Sequence, residues 1–245
     1  MSGTGGSTTR GDLAALARRA DFLAVMSIAM TLPISVIISP ALPGMATALG
    51  VSDARVGLVI TAITLPPMLL APVMGVAGDM FGRRAIAVPG LLLYGAAGVA
   101  VGVAPTFPVV LVLRALQGVA MAGIAPLTVT LLGDLYEGSM RTTAQGMRSS
   151  TAGIALAAGP LVAGVLAGIG WQYPFLLYGI PFISAAAVFV AVPETAPDRE
   201  DAPSVRGTLR NYVRSIASEV GNPSLLVVLG GALALGLLGI GTFPT

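Results

Sequence analysis

The chain has 245 residues, of which 55% are hydrophobic and only 10% charged, with a formal net charge of +2 and a mean hydropathy of +0.90. Ordinary soluble domains carry about 25% charged residues, so this composition excludes a water-bathed globule. Lys, His and Cys are all missing, which excludes a lysine-linked retinal protein, a His/Cys metal centre and any disulfide; no metal and no organic cofactor is expected.

Residues 1–21 are rich in Gly, Ser and Thr and then weakly amphipathic. Apolar runs follow at 22–45, 56–78, 85–105, 108–132, 145–168 and 172–192. Each is long enough to cross a ~30 Å hydrocarbon layer as a helix, the form that satisfies every backbone polar group internally. The first run is longer than the apolar core of a signal peptide and is followed by further runs. The breaks carry Gly, Pro and polar residues: "GVSDAR", "GDMFGRR", "APTFP", "GDLYEGSMRTT" and "GIGWQYP". A polar linker at 194–222 precedes a seventh run at 223–243. The chain reads as an all-α, multi-pass membrane protein with an N-terminal segment 1–21, a six-helix bundle 22–193, the linker 194–222 and a seventh helix within 223–245.

The arginines orient it. Arg10, Arg18, Arg19, Arg83, Arg84, Arg141, Arg148, Arg199, Arg206, Arg210 and Arg214 fall on one side of this arrangement, whereas the other side has Arg55. Basic short loops stay cytoplasmic, so the N terminus, the 82–84 joint and the linker are expected inside, in the plasma membrane of the cell. The high isoelectric point reflects this bias; no basic and aromatic residues alternate as a nucleic-acid surface would require.

Three motifs stand on these helices. "GVAGDMFGRR" (75–84) joins the second and third, "LRALQG" (113–118) lies in the fourth and "AAGPLVAG" (157–164) in the fifth. Together they resemble the Major Facilitator Superfamily: its loop between helices two and three, its Leu-x-Arg-x-x-Gln-Gly element and the Gly-Pro-x-x-Gly-Gly element of its proton-driven exporters. "GW" at 170–171 and "VPET" at 192–195 also stand at the family's usual places. Met80, Ala120 and Ala163 depart from that pattern, standing where arginine, glycine and glycine are common. The resemblance covers residues 20–245 and implies two inverted three-helix repeats, of which Pro72 to Gly82 and Pro160 to Gly170 keep a trace. It also implies a second six-helix half, so the chain is expected to be the N-terminal portion of a transporter.

The resemblance assigns roles to residues that chemistry alone leaves open. Gly75 and Gly82 would allow a tight turn, Asp79 would cap a helix of the other half, and Arg83 and Arg84 with Asp134 would complete a conformational latch; the plainer reading makes the arginines topology anchors. Arg114 is a charge inside an apolar run, costing ~2.5–3.5 kcal/mol at a helix centre. Gln117, Gly118 and Met121 share its face at helical spacing, which suggests a cavity wall; snorkelling toward the outer leaflet is the alternative. Proton coupling through Arg114 comes only from the resemblance, because the acids between 22 and 192 are Asp53, Asp79, Asp134 and Glu137, all at loops or helix ends. Gly159, Pro160 and Gly164 would give a kinked, closely packed helix at the interface with the other half. Met26, Met30, Ser35, Met121 and Thr128 would make a mostly apolar pocket suited to a lipophilic or amphiphilic solute. The expected function is proton-coupled export of such solutes by alternating access. The alternative is a non-transporting membrane half-protein that acts as an assembly partner or regulator.

Overall fold

The computed structural model describes residues 19–193 together with 207, 210 and 214. The chain divides into two compact units, Met1–Ala202 and Pro203–Thr245. The linker 194–222 and the seventh run lie outside the described residues, apart from Gly207, Arg210 and Arg214, which are helical.

The described residues of the first unit are helical with no strand, and six stretches are long and apolar enough to cross a membrane. The first, Ala20–Leu49, is interrupted where proline removes backbone donors. Helix α1 (Ala20–Thr31) stops before Pro33, α2 covers Ile34–Ile37, a 3₁₀ turn takes Ser39–Ala41, and α3 (Leu42–Leu49) ends on Gly50 at φ +63°, a left-handed cap that suits glycine. A single turn, α4 (Asp53–Val56), leads into α5 (Leu58–Phe81). Then come α6 (Arg83–Val101), α7 (Phe107–Leu135) and α8 (Gly138–Ile169). The last crossing begins as a 3₁₀ helix over Tyr173–Gly179 and continues as α9 (Ile180–Ala191).

The joints are shorter than the sequence suggests. Gly82 alone separates α5 from α6, at φ +96°. Only Tyr136 and Glu137 separate α7 from α8, which starts at Gly138 (φ +54°) rather than at 145. The polar stretch after Gly138 belongs to the helix, because a helix satisfies its own backbone whether or not lipid surrounds it.

Helix α7 occupies the centre, packed on α5, α6, α1 and α8, while α9 packs on α1 and α6. Phe22, Ile28, Leu91, Tyr94, Val110, Ile124, Leu131, Tyr178 and Val188 form the shared core. Many residues of the first crossing and of α7 are buried within the unit, whereas few of Asp53–Ala71 and of α8 are. Apolar side chains such as Met68, Leu69, Ile154, Leu161 and Val165 therefore face outward.

Candidate functional site

At the Gly82 end of the bundle, Arg83 joins two helices. Its Nε meets Asp134 Oδ2 at the end of α7, at 2.5 Å, and its Nη2 lies 3.5 Å from Asp79 Oδ1 in the last turn of α5. Arg83 is mostly covered, whereas both carboxylates keep a third or more of their side chains in solvent. Each charge is thus partly hydrated, and the network is a modest tie. Gly82 permits the turn by its positive φ. Gly75 lies within α5, where a Cβ would meet nothing within 4 Å among the described residues; at Gly78 a Cβ would lie 2.9 Å from Leu127. Arg84 also stands apart from the network. Its guanidinium lies 4.3 Å from the Phe189 ring and donates to the Val192 carbonyl at 3.4 Å, so it braces α6 against α9.

Inside the bundle, Arg114 is only 1% exposed. It stands about 10 Å along α7 from Phe107, given 1.5 Å per residue, and its head turns inward rather than snorkelling. Nη1 donates to the Tyr178 hydroxyl at 2.8 Å and to Gln117 Oε1 at 3.2 Å. Gln117 in turn donates through Nε2 to the Tyr94 carbonyl on α6 at 3.2 Å. The Phe175 and Tyr178 rings stand 5.3 and 5.8 Å from the guanidinium, close enough for cation–π attraction. Nε and Nη2 meet no acceptor among the described residues. Among the described residues the charge is therefore held by neutral groups, an arrangement that leaves it strongly sensitive to any acid brought near.

The other expected residues are distributed more widely. Gly118 brings α7 against α5, since a Cβ would lie 2.5 Å from the Ile63 carbonyl oxygen. Met121 borders the main core. Ser35 and Thr128 turn their hydroxyls onto the Leu32 and Ala125 carbonyls; Met26 is buried, its sulfur accepting from Thr151, while Met30 is half exposed. Helix α8 continues unbroken through Pro160. At Gly159 a Cβ would lie 2.3 Å from the Ile37 side chain, so this glycine packs α8 on α2. Gly164 meets nothing within 4 Å.

The family model described as the Major Facilitator Superfamily matches residues 22–245. The chain belongs to this superfamily.

Among its relatives, the Bacillibactin exporter of Bacillus subtilis (strain 168) is 32% identical over 225 residues, 88% of this chain and 55% of that protein. The class C tetracycline resistance protein of Escherichia coli is 32% identical over 147 residues, 57% of this chain and 36% of its own length. The chain thus spans about half the length, or less, of the curated relatives it matches. Among solved structures, the human organic anion transporter MFSD10 (TETRAN) superposes with a TM-score of 0.60 at 19% identity, over 80% of this chain and 51% of that one. This last likeness shows the fold.

Within this Major Facilitator chain the Arg114 site includes residues that the sequence motifs do not mark. Tyr178 and Phe175 come from the 3₁₀ segment and Tyr94 from α6. Tyr178 fits because α6 offers Gly98, where a Cβ would fall 2.1 Å from Tyr178 Cγ, and Gly95, where it would fall 3.0 Å from the Tyr178 carbonyl oxygen. The visible signal is "YGAAG" at 94–98, two glycines nearly one turn apart beside a tyrosine. A third cluster was also unmarked: Arg19 pairs with Asp21 at 2.7 Å, Tyr136 donates to Asp21 at 3.3 Å, and the Arg19 guanidinium sits 4.8 Å from the Tyr136 ring. It ties the start of α1 to the end of α7.

Proposed function

We propose that this chain supplies the N-terminal half of a secondary transporter that exports lipophilic or amphiphilic small molecules by alternating access, coupled to protons. The observation that carries the proposal is the buried Arg114, held by Gln117 and Tyr178 without a counter-charge among the described residues. A charge kept that way responds to an acid presented by a second half, because the attraction grows as water is excluded. Neutralising that acid with a proton would remove the attraction, which links proton binding to the arrangement of the halves. The exporter and resistance-protein relatives support the outward direction. The poverty of Asn and Gln along the crossings argues against a sugar, whose hydroxyls need many polar partners.

The Arg83 network would act as the latch of the cytoplasmic side, with Asp79 available to a helix N-terminus of the second half. The outward faces of α5 and α8 would carry that half. The N terminus and the linker would be cytoplasmic, in the plasma membrane.

The test is dye efflux from cells expressing the protein with both halves, driven by an imposed pH gradient. Arg114→Ala should abolish coupled export while preserving expression. Arg114→Lys should rescue poorly, because an ammonium does not reproduce the planar fork. Normal efflux by the alanine variant would overturn the coupling role.

A further inference from the structure

Arg84 offers a site that the latch does not use. Arg84, Ala85, Val88 and Pro89 of α6 line a groove with Phe189 of α9, with a cavity volume of 380 Å³. Ala85, Pro89 and Phe189 are exposed. The walls are apolar and the lining includes no carboxylate. Arg84 enters no ion pair among the described residues, its contacts being the Phe189 ring and the Val192 carbonyl. It follows Gly82 by two residues, in the first turn of a helix long and apolar enough to cross a membrane. We propose that this groove is a seat for one anionic phospholipid, whose phosphate meets the Arg84 guanidinium while an acyl chain lies along Val88, Pro89 and Phe189.

The two parts of the groove match the two parts of such a lipid. A guanidinium has five donors in a planar fork and is suited to a phosphate, and one donated bond to Val192 leaves others for the ligand. The Phe189 ring holds the guanidinium at the top of the apolar wall, so headgroup and chain are recognised in register. A zwitterionic lipid would fill the same wall but gain less from the cation, since its own ammonium competes for the phosphate. Bound lipid would bridge α6 and α9, reinforcing the brace that Arg84 makes there.

Trp171 is the single tryptophan, which makes a reporter available. The full chain carrying Trp171→Phe and Phe189→Trp is reconstituted in phosphatidylcholine vesicles. Either the phosphatidylcholine or added phosphatidylglycerol carries brominated acyl chains, at equal mole fractions. The brominated phosphatidylglycerol should quench the groove tryptophan with an apparent preference of about five-fold, the effect of one cation near an anionic headgroup. Arg84→Gln should erase the preference and Arg84→Lys should keep most of it. Arg55→Gln, at the opposite end of the bundle, should leave it intact. Equal quenching by the two lipids with Arg84 present overturns the proposal; this is also the result if the acids at 194–201 neutralise Arg84. An unquenched tryptophan, showing the groove filled by protein, overturns it too, as does loss of the preference on adding inorganic phosphate.

Discussion

The Tyr178 hydroxyl accepts a hydrogen bond from Arg114 Nη1 at 2.8 Å across 64 residues of sequence. Both side chains are buried. The pair joins the central helix α7 to the 3₁₀ turn that opens the last crossing, and it is the part of the site in which a small chemical change has a sharp outcome. Tyr178→Phe keeps the ring and its place on Gly98 but removes the oxygen. A hydrogen bond to a charged group contributes about 1.5–3 kcal/mol, and thermal unfolding in detergent should show a loss of that size. In Arg114→Leu the same tyrosine change should cost much less, so the double-mutant cycle reports the contact itself. Additive losses would show that the two residues do not interact.

Close packing gives a second prediction. Gly118→Ala would place a methyl 2.5 Å from the Ile63 carbonyl oxygen, a clash with backbone that no rotamer relieves. Overpacking of this kind costs about 1–3 kcal/mol. Gly75→Ala, on open helix surface within the unit, should be neutral or stabilising by up to about 1 kcal/mol. Equal melting shifts for the two would refute the α5–α7 approach at Gly118.

For the Arg83 network, stability and transport should rank its carboxylates in opposite orders. Within this chain Asp134→Asn should destabilise more than Asp79→Asn, because Asp134 makes the nearer contact. The Arg83–Asp134 coupling in a double-mutant cycle should reach no more than ~1 kcal/mol and shrink with added salt. In the protein with both halves, Asp79→Asn should impair the proposed efflux more than Asp134→Asn and widen the distance between spin labels on the Gly82-side ends of the two halves. An unchanged distance distribution would leave the motif as a topology anchor.

Tyr136 makes a pH prediction. Burial, with the nearby Asp21 charge adding to it, pushes its phenol from 10.0 up to about 12. The folded state holds the phenolic proton more tightly than the unfolded state does, so this contribution is fully present below pH 10. It is lost as pH rises from there through about 12. The unfolding midpoint should therefore fall over that window, and Tyr136→Phe should flatten the fall. A parallel fall in the phenylalanine variant would assign the alkaline loss to other groups.

What the sequence made legible were isolated charges in an apolar background. Asp79, Arg83 and Asp134 stand out because helix ends are the places where lipid tolerates them, and Arg114 with Gln117 stands out because the two share a helical face. Tyr94, Phe175 and Tyr178 were hidden for the opposite reason: an aromatic in a membrane crossing has a sufficient explanation in packing, and its polar edge shows its use only when a distant helix is in place. Arg84 looked like a twin of Arg83, yet neighbouring residues on a helix point about 100° apart, so one reaches α7 and the other α9. Of the three glycines in 75–84, the motif singles out Gly75 and Gly82, while the close helix contact is at Gly78. The 3₁₀ opening of the last crossing was likewise concealed in a run whose apolar composition is uniform.

The Arg114 site also fixes an order of events during synthesis. The guanidinium emerges with the fourth crossing, but its hydroxyl partner is made 64 residues later; at 5–20 residues per second, that is roughly 3–13 s. Tyr94 already exists by then, so Gln117 has its carbonyl while Arg114 still awaits Tyr178. During that interval the guanidinium lacks the hydroxyl that receives its shorter hydrogen bond. Delivery of the sixth crossing supplies that hydroxyl. The partner set of the central helix is thus completed by a segment made two crossings after it.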